Sequence, residues 1–217
     1  MKALAGVAMF MVAVLLSACA AEGPGGNPGG IFGARQPARS VDVKALPAMR
    51  VVGFNVEVPG SLSVSEENSY KPVADIVWRE DPPGDRHAQV RAIVEEAVRR
   101  GVDGLQGDLP VVLHVTVRQF HALTQRTRYT IGGTHAIDLL LSVTNARSGE
   151  VIIPPYLLRV RLEAYGGQKA LAAEAVGLTQ KVRIIRHLAG LIRQELTGVP
   201  APPAREVELE ALMAGRS

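Results

Sequence analysis

The chain has 217 residues, of which 47% are hydrophobic and 21% are charged, so it has the composition of a globular protein and not of a disordered one. Its formal net charge of +3 is spread along the chain without a block of like charges, and this gives no indication of nucleic-acid binding. A single cysteine excludes a disulfide framework within the chain and any cysteine-rich metal site.

The first nineteen residues have the pattern of a lipoprotein leader. Lys2 precedes an apolar stretch at 3–16, which has the length of a signal-peptide core and is short for a membrane span of about 20 residues. The stretch ends in Leu16-Ser17-Ala18-Cys19, which resembles a bacterial lipobox. The resemblance implies that residues 1–18 are a signal peptide and that Cys19 carries a diacylglyceryl group and, usually, a further N-linked acyl chain. The alternative is an ordinary secretory leader with an incidental cysteine.

A tether rich in glycine and proline is predicted at 19–49, because its composition buries too little apolar surface to offset the entropy of ordering it. A flexible coil of this length has a root-mean-square reach of about 30 Å. Ala20 stands where an aspartate would, by analogy with enterobacterial lipoproteins, favour the inner membrane, so we expect an outer-membrane anchor facing the periplasm. A folded domain is predicted at 50–198 and a flexible tail at 199–217.

The first half of the predicted domain contains strand patterns and then a helical one. Three segments predict strands, one long and two short: Arg50–Val58, Ser61–Ser65 and Asp75–Trp78. Asp85 is placed to cap a helix whose apolar residues recur with helical spacing. We expect that helix to run to about Arg100 and to end at Gly101 or Gly104.

Three segments with period two follow, each with one apolar and one mostly polar face. Their apolar residues are Val111, Leu113, Val115 and Val117; Ile137, Leu139, Leu141 and Val143; and Leu158, Val160 and Leu162. A hairpin connection at 145–149 joins the second and third. A long helix at 169–197, with an apolar stripe at seven-residue spacing, is expected to lie on the sheet, and a coiled-coil dimer is the alternative. The predicted fold is an α+β two-layer sandwich of order β(β)αβββα, with two helices on one face of an antiparallel sheet of four or five strands.

The sequence lacks the common motifs of serine hydrolases, P-loop and dinucleotide-binding proteins and zinc proteases, so we expect no enzyme activity, no cofactor and no metal. One alternative is a zinc or copper site from three histidines, His114, His121 and His135, although no short ligand spacing supports it. Three polar residues surround a Pro-Pro-Gly turn and are interpreted as turn and cap residues, with acid–base chemistry as the alternative: Asp81, Asp85 and His87.

Two surfaces are candidates for binding a partner. The segment 124–133 is longer than a tight hairpin requires, and Arg126, Arg128 and Tyr129 at its tip suit lipid phosphate or the carboxylates of a protein. The alternative is a twisted hairpin extension whose arginines keep a sheet edge soluble. The second candidate is the polar face of the sheet, with His114, Thr116, Arg118, Asp138, Ser142, Thr144, Arg159 and Arg161.

Two strings, ADIVWR at 74–79 and RYTIGGTH at 128–135, resemble an uncharacterised lipoprotein family of alphaproteobacteria, a domain of unknown function, over most of residues 45–198. In layout alone the chain is similar to auxiliary lipoproteins of ABC-type lipid transport and to the lipoprotein of lipopolysaccharide assembly, and no functional residue carries over from either. The anchor, the tether and the lack of recognisable catalytic motifs favour a non-enzymatic accessory or scaffold subunit of an envelope transport or assembly complex. The alternative is an autonomous lipoprotein that binds a lipid or small ligand between sheet and helices. A hydrolase built on histidine and aspartate is a third hypothesis.

Overall fold

The computed structural model describes residues 48–198, so the predicted signal peptide, Cys19, nearly all of the tether and the tail at 199–217 lie outside the described residues. Within these residues, five strands and four helices follow one another: β1 (Met49–Glu57), β2 (Ile76–Val77), α1 (Arg86–Val102), β3 (Leu109–His121), α2 (Gln125–Arg128), β4 (Gly133–Asn145), β5 (Val151–Ala164), α3 (Gly167–Ala175) and α4 (Gln180–Thr197). The α+β class and the order of the main elements are confirmed.

The strands form one open sheet in the order β1-β3-β4-β5, and β2 pairs with the far part of β3. The antiparallel arrangement predicted for the sheet is present in β3, β4 and β5, whereas β1 and β2 run parallel to β3. The reason is the connection between β1 and β3, which contains α1 and returns the chain to the same end of the sheet, as a parallel pair requires. Period-two patterns show which face of a strand is buried, but they carry no information on its direction.

The apolar faces of the three long strands form the core, as predicted. In the register between β3 and β4, Val115 lies opposite Leu141 and Leu113 lies opposite Val143. All four side chains are at most 2% exposed, and the apolar residues of α1 and α4 pack on the same cluster. The other face of the sheet carries the predicted polar residues, and on it Arg161 pairs with Asp138 at 2.7 Å.

Helix α1 begins as predicted, because the side chain of Asp85 accepts a hydrogen bond of 3.0 Å from the backbone N–H of Ala88. Gly101 does not end the helix; it lies within the last turn, where α1 meets α4. A Cβ atom on Gly101 would lie 2.8 Å from the carbonyl oxygen of Ala189, so only glycine permits this close approach. The chain leaves the helix at Gly104, whose φ of +72° is in the left-handed region.

The single helix predicted at 169–197 is wrong, because the chain forms two helices separated by a turn. Gly177 has a φ of +77° and ends α3, while the Thr179 side chain accepts from the N–H of Val182 at 3.3 Å and caps α4. The apolar residues at seven-residue spacing are therefore divided between two helices, and Leu171 on α3 is 46% exposed. The Gly177 and Thr179 pair was the signal in the sequence for this break.

Candidate functional site

The predicted binding loop forms a short helix at one end of the sheet. The side chain of Thr124 caps α2 by accepting from the N–H of Thr127, and Gly132 leads into β4 with a φ of +69°. We call this end, where β3 ends and β4 begins, the distal end. The opposite end is where the chain enters at residue 48 and where β1 and β3 start together.

Arg126 and Tyr129 lie on the surface of the distal end. The Arg126 guanidinium stacks over the ring of Tyr70 at 4.4 Å, and Tyr129 is 47% exposed. The cap of α2 also binds the loop between β1 and β2, since the Thr124 side chain donates to the carbonyl of Ser69 at 2.7 Å. These two predicted residues are therefore accessible on an ordered surface, and their role in binding stays a prediction.

Arg128, unlike Arg126 and Tyr129, does not lie on the surface, so its prediction as an exposed residue at the tip of the loop is wrong. Its side chain is 8% exposed and forms two ion pairs of 2.6 Å, one with Glu80 and one with Glu174. In a helix, residues two positions apart point in nearly opposite directions, so Arg126 points outward while Arg128 points inward. Arg128 is thus committed to carboxylates of its own chain and joins α2 to the loop before α1 and to α3.

The ionic cluster continues from Glu80 into α4. Glu80 accepts from the first-turn N–H of Lys181 at 3.2 Å, and the Lys181 side chain contacts Asp81 at 2.8 Å. Burial acts to raise the pKa of Asp81, but hydrogen bonds from Lys181 and Trp78 outweigh it and hold the pKa below its ordinary value. Asp81 is therefore a structural anion, and Asp85 is the helix cap, which matches the prediction for this turn.

The three histidines that formed the alternative metal site are not brought together. His114 contacts Thr144 on the polar face at 3.1 Å, His121 contacts the carbonyl of Ala74 at 2.7 Å, and His135 lies in the interior. Among residues 48–198, no group of three or more histidine, cysteine or acidic side chains is arranged to hold a metal ion.

His135, which the sequence analysis considered only as a metal ligand, is a buried polar residue beside a cavity. It is 1% exposed and lines a small cavity under α3, together with Arg128, Tyr165, Ala170, Ala173, Leu178, Gln180 and Arg183. Burial, together with the nearby guanidinium groups of Arg183 and Arg128, lowers the pKa of His135 to about 3. The imidazole is therefore neutral at neutral pH. The sequence signal for the burial of His135 is the alternation in β4, which puts residue 135 on the same face as Ile137.

The depressed pKa of His135 predicts a loss of stability in mild acid. Because the folded pKa is about 3 and the ordinary one is 6.5, the unfolded chain binds the proton first as the pH falls. The free energy of unfolding should therefore fall by about 2 kcal/mol between pH 7 and pH 5. Urea unfolding at several pH values checks this, with His135→Phe as the control that lacks the titrating group. Identical pH profiles for the wild type and the variant would show that His135 does not supply the effect.

A family model described as a family of unknown function, DUF6778, matches residues 49–211. The chain belongs to the DUF6778 family. No protein in the curated collection of characterised sequences matches it.

Two solved structures resemble the chain at low identity. A DUF330 protein from Xanthomonas campestris has a TM-score of 0.42 and 10% identity, and the match covers 80% of this chain and 92% of that one. A candidate lipoprotein from Caulobacter crescentus has a TM-score of 0.31 and 11% identity, with 78% and 93% covered. Likenesses of this size carry no argument about function. Within the described part of the chain, no helix has the length and apolar character needed to span a bilayer.

Proposed function

We propose that this DUF6778 protein is a lipid-anchored lipoprotein of the bacterial cell envelope that acts as a non-enzymatic accessory or scaffold subunit of a transport or assembly complex. The observation that carries the proposal is the string Leu16-Ser17-Ala18-Cys19 directly after an apolar run of signal-peptide length. One acyl chain binds a membrane only marginally, whereas two or more hold firmly. A diacylated Cys19 therefore anchors the domain permanently, with the outer membrane favoured by Ala20.

The arrangement of the domain supports contact with a partner at the distal end. The chain enters the domain at residue 48, and α4 ends near the same end of the sheet, where Arg193 donates to the carbonyl of Asp103 just before β3. The distal end lies about 40 Å away along the thirteen residues of β3. Exposed apolar side chains lie on the turn after α2 and on the loop between β1 and β2: Tyr70 (47% exposed), Val73 (96%), Tyr129 (47%) and Ile131 (74%).

This separation suits an accessory subunit. A domain that is tethered to the membrane at one end leaves its other end accessible to a partner protein. Large exposed apolar groups beside a polar rim are typical of protein contact sites. Arg126 and the buried Arg128 cluster give that end a fixed shape. The cavity under α3 does not itself support the autonomous lipid-binding alternative, since it measures about 10 Å³ and holds about one water molecule, not an acyl chain.

Cys19→Ala is expected to remove the anchor. The wild-type chain should fractionate with membranes and carry the mass of a cleaved, acylated protein, because the acyl groups are attached through Cys19. The variant should appear in the soluble fraction, or remain in the inner membrane with its leader attached. Fractionation followed by intact-mass measurement distinguishes these states, with Ser17→Ala as a control that keeps a small residue before the cysteine. A variant with the location and the mature mass of the wild type would contradict the lipoprotein assignment.

A further inference from the structure

The cavity under α3 contains polar atoms that the protein itself does not satisfy. Within residues 48–198, neither ring nitrogen of His135 has a hydrogen-bond partner, and the side-chain oxygen of Gln180 has none either. Both side chains line the cavity, and they are 1% and 6% exposed, respectively. A buried polar group without a partner costs free energy, so three such atoms on two residues that line one cavity indicate a missing hydrogen-bonding group.

The charges around the cavity limit what that group is. Two guanidinium groups line the cavity: Arg128, which is paired with Glu80 and Glu174, and Arg183, which lies 3.4 Å over the ring of Tyr165. They lower the pKa of His135, so the potential at the imidazole is positive. A metal cation or an ammonium group would be repelled from this place.

The unsatisfied groups of His135 and Gln180 favour an uncharged group over an anion. A neutral imidazole has one donor and one acceptor nitrogen in either tautomer, and the Gln180 oxygen is an acceptor. His135 and Gln180 together therefore have two unsatisfied acceptors and one unsatisfied donor. An anion provides no hydrogen to the two acceptors, whereas a hydroxyl group or a water molecule both donates and accepts.

We propose that the cavity is a binding site for one uncharged hydroxyl group that bridges His135 and Gln180. Its volume of about 10 Å³ matches one oxygen atom with its hydrogens. Water and the hydroxyl of a short alcohol offer the same chemistry, and water is the occupant in the absence of an added ligand. The bridge joins β4 to the first turn of α4, and the site is independent of the proposed accessory function.

The test is NMR on the full-length protein in detergent, with ¹⁵N-labelled histidine. We expect a cross-peak between bound water and the His135 ring in the wild type. Gln180→Met removes one acceptor and should weaken or abolish the cross-peak, while Gln194→Met, the matched change elsewhere on α4, should keep it. Addition of methanol distinguishes the two sources of the hydroxyl: either the water cross-peak persists, or it is replaced by one from the methyl group of methanol.

Each of these methanol outcomes supports the proposal and names the occupant. A wild-type spectrum with neither cross-peak would overturn the proposal. This measurement needs no variant, so it remains decisive even if Gln180→Met does not fold. A second contrary result would be His135 ring shifts that respond to chloride or inorganic phosphate and not to methanol, because the site would then be an anion site.

Discussion

Replacing Leu141 with aspartate is expected to lower the free energy of unfolding by about 4 kcal/mol or more, enough to unfold many single domains. Leu141 is 2% exposed and lies in the middle of β4, opposite Val115 on β3. A carboxylate there has no partner in the apolar cluster, so it is either buried at great cost or forces the strand out of place. Urea or thermal unfolding of the purified wild-type protein and the Leu141→Asp variant measures the effect.

Leu140→Asp is the matched control, because it is the same substitution one residue earlier on the same strand. Leu140 points to the polar face and is half-buried, so the change should cost far less than the one at residue 141. If the two variants were equally stable, or if Leu140→Asp were the worse one, the assignment of the two faces of the sheet would be wrong.

Arg128→Met is expected to cost about 3–5 kcal/mol of stability, because it leaves two carboxylates without their shared cation in a largely buried cluster. Glu80 and Glu174 both lie 2.6 Å from the Arg128 guanidinium, and their side chains are 17% and 26% exposed. Methionine keeps much of the length of arginine, so the loss reflects charge more than packing. Chemical denaturation gives the magnitude, and part of the loss should be recovered when Glu80 and Glu174 are changed to glutamine in the same variant.

Arg126→Met serves as the control two residues away. Its guanidinium stacks on the exposed ring of Tyr70, an interaction worth about 0.5–1 kcal/mol at an exposed site. A stability loss at residue 126 equal to that at residue 128 would mean that the buried ion pairs are not what distinguishes the two arginines.

The parts of the fold that the sequence predicted well are those governed by local patterns. Val115 and Leu141 are buried because alternate residues of a strand face the same side, and Asp85 caps α1 because a short acidic side chain reaches the free N–H groups of a first turn. The direction of β1 relative to β3 depends instead on the connection that contains α1, which returns the chain to the same end of the sheet. No pattern within β1 records that direction. The break at Gly177 was readable, but the seven-residue spacing of apolar residues obscured it.

The candidate site was only partly predictable, because its key contacts join residues far apart in the chain. Arg128 was recognised as a potential ligand for carboxylates, yet the carboxylates that it binds belong to its own chain, 48 and 46 residues away. His135 could be placed on the apolar face from the alternation in β4. Its lack of a hydrogen-bond partner, however, depends on how α3 and α4 pack over it, and strand periodicity does not contain that information.

The accessory role is tested most directly by photo-crosslinking in native membranes, with the crosslinking residue placed at Ile131 on the distal end. Mass spectrometry of the purified, detergent-solubilised adducts then identifies what lies within reach. Our account predicts one defined adduct with an envelope transporter or barrel subunit from position 131, and none from Val151, an exposed valine at the opposite end. Recovery of the protein alone, or with lipid as its only adduct, would contradict the accessory role and favour an autonomous binding lipoprotein.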